Sequence, residues 1–435
     1  MRYNGLMAER GNNQRAAART RKMRARSHRL IGIFLVCILI AAAFSVGFFL
    51  RGQSAFLQSL GFPSTITGVK QSTTTETSKA KNAENSLSMR FSEVEDVLAA
   101  DSLDTYDLDA ATKATLNAFT KSTDDPYLRY YTPERYNALL NTQDEGYAGV
   151  GVLFSEYNGK AYVVDVFEGA PAQLEGVKEG DFVVSINGDS SQTWSRSEVA
   201  AVLSQSQGSN VVITWRRPES LEADGGEKFT TTLACEEYDE VNVTTEYDED
   251  RTVGYIKVKQ FTQNAGALVT SAINDLTNQG ARAFVLDLRD NPGGYLSQAV
   301  GVASAFMSSG TIVEVVTVDG QSAKSASGQP ATDGALVILT NRNTAAAAEV
   351  VAAAIKEGQR GTLVGTTTMG KGSVQVLYEL SFGGAMRYTA AYYLTPEGHA
   401  IDKVGVTPDV TLENIDEGDV QKDFAIELAG SRAAE

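Results

Sequence analysis

The chain has 435 residues, with 38 Lys+Arg against 54 Asp+Glu for a net charge of -16, a length that accommodates two or three domains, each with a core of its own. Residues 1–29 carry nine basic side chains and one acid, Glu9, so the rest of the chain sums to -24, which excludes a nucleic-acid footprint on the body. Two histidines (His28, His399) and two cysteines (Cys37, Cys235) exclude a His-rich metal centre, a disulfide framework and a Cys zinc site, so hydrolytic chemistry falls to Ser, Thr, Asp, Glu, Lys or Tyr.

From Leu30 to Leu50 the sequence reads LIGIFLVCILIAAAFSVGFFL, 21 residues without a charge between Arg29 and Arg51. About 20 apolar residues cross a bilayer, so a single transmembrane helix is expected over 30–50. The basic leader, 1–29, then stays cytoplasmic and the body after Arg51 lies on the outer side of the membrane. A cleaved signal peptide competes with this reading, but its apolar region usually spans only ~7–15 residues. Residues 51–87 are expected to be a flexible tether, because large apolar side chains nearly vanish after Val69. Leu108, Leu116 and Phe119 at near-helical spacing, with breaks at Pro126 and Pro133, predict a helical module over 88–145.

Over 146–235, strand-like runs at 150–154, 161–167, 182–186 and 211–215 alternate with Gly-rich turns and one helical stretch at 195–203, which predicts a compact, mostly β domain. An acidic connection at 236–251 leads into an α/β core over 236–415. Its expected strands are 253–258, 283–288, 335–340, 362–365, 374–380 and 386–394, and its helices 263–279, 295–307 and 345–357. Residues 416–435 form a tail that is a candidate assembly helix.

Four local motifs carry chemistry. Gly149-Val150-Gly151-Val152 keeps side chains off a loop entering a strand, where backbone N–H groups can hold a terminal carboxylate and the strand edge can pair with a peptide; a plain turn remains the alternative. Leu286-Asp287-Leu288-Arg289-Asp290-Asn291-Pro292-Gly293-Gly294 runs from a strand through a glycine turn into a helix, leaving backbone N–H groups open to a ligand. Thr344-Ala345-Ala346-Ala347-Ala348-Glu349 reads as the start of an alanine-rich helix with Thr344 as N-cap, at a position where unpaired N–H groups suit a nucleophile and its oxyanion. Gly365-x4-Gly370-Lys371-Gly372-Ser373 nearly matches a phosphate loop, but Gly372 replaces the Mg²⁺-binding hydroxyl and a strand-like run follows, so nucleotide binding is rejected. Lys371 is left as a candidate general base whose pKa burial can lower.

The run EGAPAQLEGVKEGDFVVSINGD, with Gly149–Val152 ahead of it, resembles a PDZ domain. Joined to 286–294, 344–349, 370–375, LTPEGHAI at 394–401 and GVTPD at 405–409, it resembles the carboxyl-terminal processing, or tail-specific, peptidases over roughly residues 88–415. That resemblance implies a core of β-β-α units, ClpP/crotonase-like, with an inserted PDZ domain. It implies a Ser/Lys dyad with Lys371 as base, Gln375 orienting it, and an oxyanion hole from the N–H groups of Ala347 and Gly293 or Gly294. Substrates would be polypeptides with apolar C-terminal tails, bound at Gly149, Val150, Gly151 and Val152. No cofactor or metal is implied; a homo-oligomer and an accessory regulator are. Regulated relatives use an arginine near the end of the PDZ domain as an activation sensor, which Arg216 or Arg217 would match.

The family's nucleophile motif is [ST]-A-S-A-x-E, and this chain has Ala346 at the serine. An alanine cannot attack a carbonyl, so the chain is expected to be catalytically dead, and Thr344 reads as a cap rather than a substitute. Intact Lys371 and Gln375 favour a Ser→Ala knock-out, with a natural pseudopeptidase acting as a PDZ peptide-binding scaffold as the alternative.

Overall fold

The computed structural model describes residues 86–140, 147–206, 208–238, 241–414 and 418–433. The expected leader and membrane span, and nearly all of the tether, lie outside the described residues. Among the described residues no helix is long and apolar enough to cross a membrane. The chain divides into two compact units between Tyr106 and Asp107. The described part of the first holds helix α1 (Leu87–Asp101), whose N-cap Ser86 accepts from the Met89 N–H at 3.3 Å. Tyr106 donates to Glu95 of α1 at 2.8 Å.

The second unit begins with α2 (Leu108–Lys121), where Asp107 accepts from the Ala110 N–H at 2.9 Å, then β1 (Arg129–Tyr131) and α3 (Pro133–Leu140). β1 corrects the all-helical expectation for this module. It pairs antiparallel with a core strand, Arg129 opposite Arg387, and a three-residue run is too short to display alternation in sequence.

A five-stranded antiparallel sheet follows, in spatial order β3 (Val152–Tyr157), β4 (Lys160–Val166), β5 (Phe182–Ile186), β6 (Asn210–Arg217) and β7 (Glu227–Ala234). The short strand β2 (Tyr147–Gly149) pairs with β8 (Glu236–Tyr238) where the chain leaves for this domain and returns. Helix α4 (Pro171–Leu174) and helix α5 (Arg196–Gln205) cover the sheet, whose inward residues include Val152, Phe154, Val163, Ile213 and Trp215. α5 starts in a reciprocal cap: Ser195 accepts from the Glu198 N–H at 3.3 Å and Glu198 accepts from the Ser195 N–H at 2.9 Å.

The core is built from β9 (Val243–Asp248), β10 (Val253–Val258), α6 (Ala265–Gln279), β11 (Ala283–Asp287), α7 (Leu296–Ser304), β12 (Thr311–Thr317), β13 (Gly320–Ser325), β14 (Ala335–Thr340) and α8 (Ala347–Glu357). β15 (Thr362–Gly365), β16 (Ser373–Glu379), β17 (Ala385–Leu394), β18 (Val410–Thr411) and α9 (Val420–Ala433) complete it. One sheet runs β18-β15-β14-β11-β10-β9, parallel except for β9. A second, antiparallel sheet runs β1-β17-β12-β13, with β16 also on β17. β9 lies where the sequence suggests only an acidic connection, because an edge strand with an exposed face carries Glu246 and Asp248 at little cost.

Strand alternation sorts the parallel sheet into two faces. Ile256, Phe284, Leu286, Leu336 and Ile338 meet α6, α7 and α8 on one side. Tyr255, Val285, Val337 and Leu339 meet Ala425 and Ala429 of α9 on the other. The tail expected as an assembly helix is therefore part of the fold, and small alanines gave its sequence little apolar signal. α8 is buried all round from Ala347 to Ile355, so its alanines permit close packing as well as favouring helix.

Candidate active site

Three turns converge at the carboxyl ends of β11, β14 and β15, the edge of a parallel sheet where ligands generally bind. In the turn after β14 the helix starts later than the sequence suggests, with Ala346 rather than Thr344 at the N-cap. The Thr344 hydroxyl instead accepts from the Asn341 N–H at 2.9 Å and donates to the Leu288 carbonyl at 2.8 Å, fully buried. Ala346 has φ +52° and ψ -115°, a conformation that strains any residue with a Cβ. Among the described residues the Ala347 N–H, first in the helix, donates to no protein group.

The turn after β11 is locked against this one. Asn291 donates to the Val258 carbonyl at 2.8 Å, and its own carbonyl accepts from the Ala345 N–H at 2.9 Å. Asp290, itself at φ +62°, accepts from the side chains of Asn341 at 2.7 Å and Asn343 at 2.8 Å. Gly293 is forced by closeness: a Cβ there would stand 2.9 Å from the Ala346 Cβ and from the Ala347 nitrogen. The Gly293 N–H donates to Asn291 Oδ1 at 2.9 Å, so of the expected oxyanion donors it is engaged within its own turn. Gly294 turns to Phe261 instead, where a Cβ would meet the carbonyl oxygen at 2.2 Å.

The third turn carries Lys371 between Gly370 and Gly372, and a Cβ on Gly372 would lie 2.2 Å from the Asp402 nitrogen. Glu349 joins this turn to the first. Its wholly buried carboxylate accepts from the N–H groups of Ala346 (2.8 Å), Gly370 (2.7 Å) and Lys371 (2.8 Å) and from the Thr368 hydroxyl (2.5 Å). Burial pushes this carboxyl up to about 7, against the pull of those four donors. Sequence reasoning gave Glu349 no role; an acid at N3 of a helix in the interior was the available signal.

Burial pulls the Lys371 ammonium down to about 8, with Glu156 acting in the opposite direction. Its Nζ lies 4.0 Å from Glu156 Oε2 and 5.5 Å from the Tyr127 ring centre. Gln375 follows a bulge in the β16–β17 ladder and donates to Ser373 Oγ at 3.0 Å; the structure gives it this partner rather than the lysine.

Gly149 ends β2, Val150 and Val152 are buried, and Gly151 between them has φ +78°. They lead into β3, an edge strand of its sheet, with α5 alongside. Arg216 is not brought to the lysine. It stacks on Phe182 at 4.7 Å and donates to the Ala223 and Gly225 carbonyls, both at 2.7 Å, while Arg217 pairs with Asp181 at 2.6 Å. The domain nevertheless reaches the converging turns: Tyr162 donates to Asn343 at 3.3 Å, and Tyr162, Val164 and Phe182 pack on Met369. A separate set of Glu357, Glu397 and His399 offers ligand atoms within 4.8 Å of one another at the surface, with His399 Nδ1 3.2 Å from Glu357.

Comparison with known proteins is consistent with this geometry. Peptidase family S41 matches residues 252–412 and the PDZ domain matches residues 162–217. The chain is similar to the carboxyl-terminal-processing protease of Synechocystis sp., 36% identical over 296 residues, 67% of this chain and 68% of that protein. It is also similar to the carboxy-terminal processing protease CtpA of Bacillus subtilis, 29% identical over 392 residues, 89% of this chain and 78% of that one. The solved photosystem II D1 C-terminal processing protease superposes with a TM-score of 0.61 at 28% identity, covering 79% of this chain and 91% of its own.

Proposed function

The chain belongs to the carboxyl-terminal processing proteases, serine peptidases of family S41 with a PDZ domain, and from that premise we propose that it is built for Ser/Lys catalysis with the nucleophile removed at Ala346. One observation carries this reading: a strained alanine at a helix N-terminus is held by Glu349 to the loop of a largely buried lysine. Strain of this kind costs about 1–3 kcal/mol and persists where function requires it. An alanine does not need it, whereas a serine there would present its Oγ.

With serine at 346, Oγ attacks the scissile carbonyl while neutral Lys371 Nζ takes its proton. The carbonyl oxygen becomes the oxyanion, and the Ala347 N–H is the donor best supported to receive it, with Gly293 or Gly294 as the second. The lysine then returns the proton to the leaving amine. Gln375 as an orienting group requires its side chain to exchange Ser373 for Lys371. The PDZ domain captures an apolar C-terminal tail at Gly149–Val152 along β3, and Arg216 serves as sensor only if Phe182 relays its position.

The parallel ladder with helices on both faces supports the ClpP/crotonase-like reading of the core. The uncharged run from Leu30 to Leu50 supports a single-pass bacterial membrane anchor with the body outside. A homo-oligomer and an accessory regulator belong to the same proposal. The Ala346→Ser protein should cleave a peptide with an apolar C terminus, and adding Lys371→Ala should abolish cleavage. No turnover by Ala346→Ser would favour the second reading, a pseudopeptidase scaffold, for which the occupied Gly293 N–H speaks.

A further inference from the structure

Four charged groups from four elements, and one aromatic ring, face Lys371. Glu156 comes from β3, Arg387 from β17, Arg196 from the start of α5 and Glu349 from α8, and Tyr127 precedes β1. The two acids differ in what occupies them. Glu349 is taken up by the three N–H groups and one hydroxyl already described. Glu156, 3% exposed, splits its carboxylate: Oε1 accepts from Arg387 at 2.8 Å and Oε2 faces the Lys371 Nζ at 4.0 Å. Burial alone would push the Glu156 carboxyl up, but Arg387, Lys371 and Arg129 outweigh it and hold it down at about 2, so it is charged throughout the working range.

Both walls of the PDZ groove reach this group. β3 carries Glu156 itself. At the head of α5, Ser195 Oγ donates to Glu198 at 2.6 Å and lies 3.4 Å from the Tyr131 hydroxyl, which in turn faces Arg387. Glu198 also binds Arg129 at 2.5 Å and Arg135 at 2.8 Å. Ser155 Oγ and Arg387 Nη1, beside the acid, are buried without a hydrogen-bond partner among the described residues, so the seat of β3 on the core is not saturated with hydrogen bonds.

We propose that Glu156 is a positioning residue for Lys371: the PDZ edge strand holds the lysine in its charged form, and its seating sets the pH at which that lysine becomes a base. This rests on the Ser/Lys reading only for its catalytic consequence, because the ion pair exists whether or not residue 346 is a nucleophile. It also assigns communication between PDZ domain and core to an acid on β3, where the family resemblance suggested Arg216.

The full chain with Ala346, labelled with 13C at the lysine Cε and with Lys371 assigned through Lys371→Arg, reports the titration directly. Replacing Glu156 by Gln, which can still accept from Arg387, should lower the Lys371 midpoint by about 1–3 pH units. Arg387→Gln should move it upward, since that cation opposes the ammonium. An unchanged or raised midpoint in Glu156→Gln, with circular dichroism unaltered, overturns the proposal, as does a common direction of shift in both variants. In the Ala346→Ser background, Glu156→Gln should carry the acidic limb of kcat/KM to lower pH by the same interval. If that background cleaves nothing, the dyad fails while the titration still decides the role of Glu156.

Discussion

The turns at 344–349 and 290–294 both lead from a parallel strand into a helix at one edge of one sheet, yet they solve the same problem differently. The second relaxes its backbone with glycine and satisfies it internally, Gly293 donating to Asn291 and accepting from Phe261 at 3.0 Å. The first puts an alanine at φ +52° and ψ -115°, where the second has Asp290 at φ +62°, a value Asp tolerates, and among the described residues the N–H that follows Ala346 has no partner. A turn that must present a side chain cannot use glycine, so its strain has to be held from outside, here by Glu349. One turn is held by its own glycines and side chains, the other by a carboxylate that it shares with the Lys371 turn.

That contrast can be broken most decisively by chemistry. Losing a nucleophilic serine costs about 10⁶ in kcat in a well-studied serine peptidase, so Ala346→Ser should raise peptide cleavage by several orders of magnitude, and Gly293→Ser should raise it not at all. Next in size, Glu349→Ala strands four donors in the interior and should cost about 3 kcal/mol or more in denaturant unfolding, with Glu349→Gln losing less. Gly293→Ala should cost about 2 kcal/mol, because φ is +88° and the new methyl meets Ala346 at 2.9 Å. Ala346→Gly should have the opposite sign, stabilising by about 1 kcal/mol as the strain is released. A loss of stability there would show that the turn is not strained.

A pH dependence tests the lysine loop that Glu349 ties to the first turn. Lys371 has its folded pKa lowered from 10.5 to about 8, so between those values the unfolded chain binds more protons than the folded one. Stability should therefore rise with pH across that window, and Lys371→Met should flatten the slope. In Ala346→Ser, activity should climb as pH passes through about 8, because the base is the unprotonated amine.

Much of the site was legible because its signals are local. The PDZ-like run, the Asn291–Gly294 turn and the Gly-Lys-Gly turn are short strings whose residue types fit one backbone geometry each, and alternation marked strands such as 253–258 and 335–340. Elements that depend on distant partners were not legible. β1 is a strand only because β17 offers an edge to Arg129–Tyr131, and β9 only because β10 does. α9 looks like a free tail until its alanines meet the far face of the sheet, where Arg289 also binds Asp419 at 2.6 Å.

The sequence by itself determined the charge division, the 21-residue apolar run, the family, and the absence of a hydroxyl at 346, because each is a property of residues in order. Only the tertiary structure decided that Thr344 braces Leu288, that Ala346 is strained, and that Glu349 joins two loops 21 residues apart in the chain. It also decided that Glu156, not Arg216, stands beside Lys371. Those outcomes are set by burial and by which carboxylate meets which donor across the fold, and neither is encoded in spacing along the chain.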